Sequence, residues 1–565
     1  MGRWLIALAG PLLWIAAAGV TLPTQKVDRG VRVPIVRLAS GALRGFLSGE
    51  TAVFKGIPYA APPVGALRWR EPQPVAAWAG IRDATKPGNA CVQNPAGIDR
   101  FLQPLAARYG MSLQAEPLAS SEDCLYLNVW SPQWPPRKAL PVMVWLHGGS
   151  NRIGSGSQPA YDGARLASQG VIVVTLNYRL GVMGFFSHPQ LTAESPHRSS
   201  GNYGLLDQLA ALAWVRANIR QFGGDPENVT LFGESAGAID AGMLMVSPLS
   251  AGLFRRLIAE SGPFFGVGQP ATLAEAERFG VEVGKLAPGS SASAIANLRA
   301  LPASQVVQLA AETVKNRFKG RNPGSPTDGW VLPQAPAIAF ASGTAQKVDL
   351  MVGLNGREFS AFRLAAGKAA LAGREKDKSG TDNNPLKQFA EAVRPLYGGW
   401  TNVAIGFYLC KVLFGRAAAL DQAVNDVVAA CPLGAEAALT TANGNKAFVY
   451  RFDRSVPGKG EAELGAFHSL ELPYVFDAFE DRMWRWLPFT EVDKNLSRAI
   501  RTYWTNFAKT GDPNSPGLPP WPAWTSSEEG YLDFDHNGNP VPQRRFSPPF
   551  CYLAPDRLRQ ELMLR

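Results

Sequence analysis

The most chemically informative stretch of this 565-residue chain is Gly233-Glu234-Ser235-Ala236-Gly237. It is a Gly-x-Ser-x-Gly motif between an apolar run, Val229 to Phe232, and a run of small and apolar residues, Ala236 to Met245. The first run reads as a buried strand and the second as a helix. In that setting the motif makes a sharp turn that holds out a nucleophilic serine. Gly233 and Gly237 suit a turn so tight that a Cβ would clash. The hydroxyl would sit at a helix N-terminus, which favours negative charge. A lone match of this kind is also found in ordinary strand–helix turns, so the partners of Ser235 decide its meaning.

A serine hydroxyl is a weak nucleophile until a base accepts its proton. The chain has five histidines. His147 adjoins Gly148-Gly149 and is placed to shape that loop. His188 and His197 bracket a polar loop, and His536 sits in the turn Asp535-His536-Asn537-Gly538. His468 follows a late apolar strand, as the chain order serine, acid, histidine requires. The base also needs a carboxylate to fix its tautomer and stabilise the imidazolium. Glu358 follows an apolar strand and the small turn Asn355-Gly356, although spacing alone leaves Glu463 and Asp453 open. The tetrahedral oxyanion of acyl transfer needs fixed N–H donors. Gly148-Gly149-Ser150, directly after an apolar run, and the N–H of Ala236 can supply them.

These residues must be positioned by a sheet. Pro141–Leu146, Gly170–Tyr178, Val229–Phe232, Asp349–Leu354 and Ala447–Phe452 read as strands, with a helix over Gly204–Gln221. Strands alternating with helices imply an α/β fold with a mostly parallel sheet covered on both faces. Its active site belongs at the C-terminal ends of the strands. Val31–Ile35 and Gly41–Phe46 read as a leading hairpin. The stretches 273–286, 294–313, 387–430 and 496–510 read as helices, and 373–385 as a charged surface loop. No linker divides 19–565, which reads as a single domain with helical insertions over the site.

Arg3 followed by the apolar run Trp4–Val20, with Ala16-Ala17-Ala18 as a small-x-small site, predicts a cleaved signal peptide over 1–18. The expected product is secreted or periplasmic, without stable membrane insertion. Export permits disulfides. Cys91 and Cys124 flank a loop they could close, Cys410 with Cys431 is a weaker second pair, and Cys551 is then left over. No Cys/His cluster points to a metal, and no cofactor is expected. Lys plus Arg exceed Asp plus Glu by 56 − 46 = 10, but without a basic stripe this is diffuse charge and no nucleic-acid partner is expected.

Taken together, these residues resemble type-B carboxylesterases of the α/β-hydrolase fold. The resemblance runs through Gly56-Ile57-Pro58-Tyr59-Ala60, Glu122-Asp123-Cys124-Leu125-Tyr126-Leu127-Asn128-Val129, Asn177-Tyr178-Arg179-Leu180-Gly181 and Gly201-Asn202-Tyr203-Gly204. It continues through the serine motif to Trp504-Thr505-Asn506-Phe507. It implies Ser235, Glu358 and His468 as a triad, with Gly149, Ser150 and Ala236 as oxyanion donors. It implies Ser261 as a supporting serine near the acid, a Cys91–Cys124 disulfide, and structural ion pairs Arg68–Glu122 and Arg179–Asp207. Three features depart from the family. Arg357-Glu358-Phe359 replaces Asp-Glu-Gly, Ser150 replaces a glycine, and Asp240 stands where relatives have a small residue; Asp240 would pair locally or reach the pocket floor. The implied function is a serine carboxylesterase acting on a small-molecule ester through an acyl-enzyme, as monomer or homodimer. A lipase, a cholinesterase-like enzyme, a detoxifying esterase for a fumonisin-type polyanionic ester, and a non-catalytic binding relative are the alternatives.

Overall fold

The computed structural model describes residues 33–549 and 551, except 114, 115, 117, 267–269, 319–321, 366–384 and 398–400. The expected signal peptide and nearly all of the charged loop at 373–385 lie outside the described residues. The described residues from Pro34 onward form one compact unit. Its frame is an eleven-stranded sheet. In chain order the strands are β1 (Phe46–Ser48), β2 (Thr51–Pro58), β3 (Tyr126–Ser131), β4 (Leu140–Leu146), β5 (Ile172–Leu176) and β6 (Gly224–Glu234). They continue with β7 (Arg256–Glu260), β8 (Asp349–Asn355), β9 (Ala447–Phe452), β10 (Tyr531–Phe534) and β11 (Pro540–Gln543). The spatial order is β11-β10-β9-β8-β7-β6-β4-β5-β3-β2-β1. Strands β5, β4, β6, β7, β8, β9 and β10 run parallel. Antiparallel strands extend the sheet at both edges.

Side chains alternate across this sheet, and each parity feeds a different core. Val144, Leu231, Leu257 and Val352 pack on one face. Trp145, Phe232, Ile258 and Met351 pack on the other, with Trp504 and Phe476. Burial on both faces explains why the strands read as continuous apolar runs. Full burial of one such side chain contributes roughly 1.5–3 kcal/mol.

The helices that matter to the site are α1 (Tyr203–Asn218), α2 (Ala236–Val246), α3 (Glu358–Ala365) and α4 (Glu491–Thr510). The leading hairpin pairs Ile35–Leu38 with Gly41–Arg44, its first strand a few residues later than expected and its second beginning where expected, and joins a separate small sheet. The helix expected over 294–313 is two helices, Ala294–Ala300 and Ala303–Arg317. Pro302 interrupts it because it has no N–H to donate and biases its predecessor away from helix. The stretch 387–430 divides into Pro385–Tyr397, Thr401–Asn425 and a π-helical turn at Asp426–Ala430.

Cys91 pairs with Cys124, and Cys431 pairs with Cys551. The expected Cys410–Cys431 pair is therefore wrong, and Cys551 is not left over. The apolar core beside Cys431, within the helix Cys431–Ala442, draws the last described turn of the chain back onto it. Arg179 and Asp207 meet at 2.7 Å, almost wholly buried, and Arg68 meets Glu122 at 2.6 Å. These pairs brace loops and lie apart from the pocket described below.

Candidate active site

Five of the parallel strands end within a few residues of one another. Gly233 of β6 pairs with Leu146 of β4, Glu234 with Glu260 of β7, and Asn355 of β8 with Phe452 of β9. The segments after them therefore share one edge of the sheet. Ser235 stands at the turn from β6 to α2 with φ 54° and ψ −122°, a backbone conformation that L residues rarely adopt. The turn is closed by Ser235 N–H donating to Glu260 O at 2.8 Å. A Cβ on Gly237 would lie 2.1 Å from Leu146 O, so only glycine admits this approach of helix to sheet.

Glu358 begins α3 directly after β8. Its Oε1 accepts the N–H of Asn355 at 2.6 Å, and its Oε2 lies 2.6 Å from His468 Nδ1. The loop that carries His468 is tied to the same turn. Arg357 N–H donates to Ala466 O at 2.8 Å, and Asn355 Nδ2 donates to Phe467 O at 2.8 Å. Both side chains are buried, at 3% and 7% exposure. The acid candidates left open by spacing lie elsewhere, with Glu463 paired to Arg108 and Asp453 to Arg451.

The other ring nitrogen of His468 has a partner that sequence reasoning missed. Nε2 lies 3.1 Å from Glu234 Oε1, which also accepts the Ser469 hydroxyl at 2.5 Å. Among the described residues Ser235 Oγ makes no hydrogen bond to His468. Glu471 and Glu260 complete a buried acidic cluster. Glu471 accepts Ser261 Oγ at 2.8 Å and also Asn355 Nδ2. Glu260 accepts Trp504 Nε1 at 2.8 Å. Ser261 thus reaches the acid's surroundings through Glu471, with no direct bond to Glu358. Burial drives the Glu234 and Glu260 carboxyls up and lifts Glu471 to about 8. Burial pulls the His468 imidazole down, but Glu234 and Glu358 outweigh it and push it to about 9. The only signal for Glu234 in the sequence is its place in the motif; the strand register that turns it toward His468 is a tertiary fact.

The loop after β4 lies against the serine. A Cβ on Gly148 would come 3.1 Å from Ser235 Cβ. Gly149, Ser150 and Asn151 all have positive φ, at 104°, 57° and 54°. The N–H groups of Gly149 and Ser150 donate to no acceptor among the described residues. Ala236 N–H opens α2, where a helix has no internal acceptor to offer. His147 is buried, stacks on Tyr178 and bonds Gly148 O at 2.8 Å, and burial drops it to about 4. The remaining histidines are occupied elsewhere. His188 caps a short helix, His197 stacks on Trp330, and His536 bonds Ser455.

Asp240 does not line the pocket. It is fully buried, accepting Asn151 Nδ2 at 2.8 Å and Gln208 Nε2 at 2.6 Å, and burial raises it to about 7.

Ser235, His468 and Gly148–Ser150 open into one pocket. Phe101, Leu102, Ile153, Phe362, Leu472 and Trp484 form much of its wall, and among the described residues no Lys or Arg lines it. A half-buried serine on a strained turn, an imidazole held by a carboxylate and an apolar cleft form a site suited to acyl transfer. Among the described residues no cluster of ligands could hold a metal.

The sequence profile of the carboxylesterase family matches residues 32–549. The chain is 37% identical over 526 residues to the fumonisin B1 esterase of Sphingopyxis macrogoltabida, covering 91% of this chain and 89% of that protein. It is 37% identical over 508 residues to the para-nitrobenzyl esterase of Bacillus subtilis (strain 168), covering 89% and 94%. The solved structure of a PNB esterase superposes with a TM-score of 0.73 at 31% identity, covering 94% of this chain and 99% of that one.

Proposed function

The chain belongs to the carboxylesterase family, with the α/β-hydrolase fold, and is a carboxylic ester hydrolase; we propose that it acts as a serine esterase on neutral, apolar esters. Ser235 Oγ attacks the ester carbonyl while His468 Nε2 takes its proton. The imidazolium then protonates the leaving alcohol. Water, activated by the same imidazole, releases the acyl group from Ser235. Glu358 holds the tautomer of His468, and the N–H groups of Gly149, Ser150 and Ala236 receive the oxyanion. In the resting geometry Nε2 faces Glu234, so the ring turns from that carboxylate toward Ser235 Oγ when substrate binds. Hydrogen bonds of this kind often tighten only in the substrate complex.

The 2.6 Å contact between Glu358 and His468, in the pocket where Ser235 stands at its strained turn, carries this reading. Among the described residues the wall is apolar and the charge of its one histidine, His468, is already matched by Glu358 and Glu234. This favours neutral esters over a polyanionic one, because a carboxylate stripped of water there would find no free charge partner. Export is part of the proposal, and the two disulfides support it. Ser235→Ala should abolish hydrolysis of p-nitrophenyl acetate while the circular dichroism spectrum is unchanged. Turnover surviving in that variant refutes the nucleophile. N-terminal sequencing of the exported protein, expected to start near residue 19, tests the signal.

A further inference from the structure

Asp240 is a charge-bearing group buried at a cost, and none of the chemical steps above uses it. Its exposure is 0%, as is that of Gln208. Leaving water is expensive for a carboxyl group, and its only side-chain partners among the described residues are two amides. One of them, Asn151, belongs to the loop that lies against Ser235. Both ends of that amide are engaged. Nδ2 donates to Asp240 Oδ1 at 2.8 Å, and Oδ1 faces Tyr178 OH at 3.0 Å. The same phenol reaches His147 O, where the loop begins, at 2.7 Å. Asn151 O accepts Gly181 N–H at 2.6 Å. Asn151 is therefore held directly by α2 through Asp240 and by the segment after β5 through Tyr178 and Gly181, while α1 supports Asp240 through Gln208.

The loop needs such a hold. Gly149, Ser150 and Asn151 are three successive residues with positive φ, and two of them carry a Cβ. Asn adopts this region more readily than most residues, but at Ser150 the Cβ crowds the following carbonyl, and such a conformation persists only where its surroundings over-determine it. Ser150 Oγ has no hydrogen-bond partner among the described residues. The restraint is therefore applied one residue later, at Asn151, and it originates on the helix whose first turn carries Ala236.

We propose that Asp240 is a positioning residue that, through Asn151, sets the backbone N–H groups of Gly149 and Ser150 against the oxyanion formed at Ser235. This rests on the serine esterase reading above. The Asp240–Asn151 contact locks the oxyanion loop to α2, so donor and nucleophile are registered by one rigid element. Loss of that lock raises the barrier to acyl transfer and leaves the apolar pocket, and hence ground-state binding, as it was.

The experiment compares Asp240→Ala, Asp240→Asn, Asn151→Ala and the double variant D240A/N151A with the wild-type chain. p-Nitrophenyl butyrate gives kcat and KM, and an aryl trifluoromethyl ketone reports the oxyanion site. Serine adds to the ketone carbon, the carbonyl electron pair moves to oxygen, and the serine proton passes to His468. Asp240→Ala should lower kcat about tenfold or more, with KM within about threefold, because a displacement of about 1 Å suffices for such losses. The ketone inhibition constant should rise by the same factor. Asp240→Asn, which can still bond both amides, should restore kcat to within about threefold of wild type. The double variant should be no worse than either single variant, since both remove one contact. Should Asp240→Ala fail to fold, Asn151→Ala carries the test alone, because Asn151 is only partly buried. Wild-type kcat in Asp240→Ala or Asn151→Ala overturns the proposal, as does a loss shared equally by kcat and thermal stability that Asp240→Asn fails to rescue. Ser235→Ala in the same assay separates the two claims: turnover surviving there defeats the esterase reading. A dead Ser235→Ala beside an unimpaired Asp240→Ala defeats only the positioning role.

Discussion

His468 is held between two carboxylates, with Glu358 2.6 Å from Nδ1 and Glu234 3.1 Å from Nε2. A base can accept a proton only when it is neutral, and Glu234 favours the charged ring. With the imidazole pushed to about 9, the neutral fraction of the base, and with it kcat/KM, should climb roughly fifty-fold from pH 7 to pH 9. Glu234→Gln removes the facing charge and leaves an acceptor for Ser469. The sign follows from electrostatics: without Glu234 the imidazolium is less stable, so the rising limb moves to lower pH and activity at pH 7 increases several-fold relative to the plateau. Rates with p-nitrophenyl acetate between pH 5.5 and 9.5, corrected for spontaneous hydrolysis, measure it. An unmoved limb would show that Glu234 is already neutral when the base works.

The strained turn at Ser235 makes a stability prediction. Both Ser235→Ala and Ser235→Gly lack the hydroxyl, but only alanine keeps a Cβ at φ 54°. Backbone strain of this kind costs about 1–3 kcal/mol, and glycine's greater unfolded-state freedom returns about 0.5–1 kcal/mol of that. The glycine variant should be the more stable of two inactive proteins by about 1 kcal/mol. Urea unfolding of the pair is the measurement. Equal midpoints would mean that the turn carries no net strain.

The sheet was legible in the sequence because strands buried on both faces are unbroken apolar runs. Asp349–Asn355 and Ala447–Phe452 begin and end almost where those runs do. The helix over 294–313 misled because its apolar spacing continues across Pro302, where the chain must break. Ser235, a candidate carried by its motif, was visible from its neighbours alone, whereas Glu358 was singled out only by the family resemblance, its spacing leaving Glu463 and Asp453 open. Glu234 facing His468, 234 residues away in the chain (468 − 234), and Asn151 facing Asp240 were not. Those contacts depend on register and loop conformation, which no local spacing records.

Cysteine pairing is the plainest case, because spacing alone does not determine connectivity. The structure joins Cys431 to Cys551 across 120 residues. Counting free thiols cannot check this, since either pairing of Cys431 leaves one cysteine over. Proteolysis without reductant followed by mass spectrometry should give a linked peptide pair containing Cys431 and Cys551. Cys551→Ser should lower the unfolding free energy by up to about 4–5 kcal/mol, the loop-closure value for a ring of this size. A linked Cys410–Cys431 peptide, or an unchanged denaturation midpoint in Cys551→Ser, would count against the pairing.

The pocket wall makes the last prediction, one about substrate charge. Phe101, Leu102, Phe362 and Trp484 present carbon to the acyl or alcohol group, and at the catalytic end the charge of His468 is already matched by Glu358 and Glu234. An anionic substrate must shed water against apolar side chains and finds no unmatched cation there, which opposes binding. Aryl butyrate and aryl hemisuccinate are close in size and differ by one carboxylate. The butyrate should be hydrolysed with a kcat/KM at least about 100-fold higher, a gap of about 2.7 kcal/mol. The penalty should persist at 0.5 M salt, because desolvation, unlike a long-range surface field, is not screened. Comparable rates for the two esters would place a cation against the acyl group and return the polyanionic esters to contention.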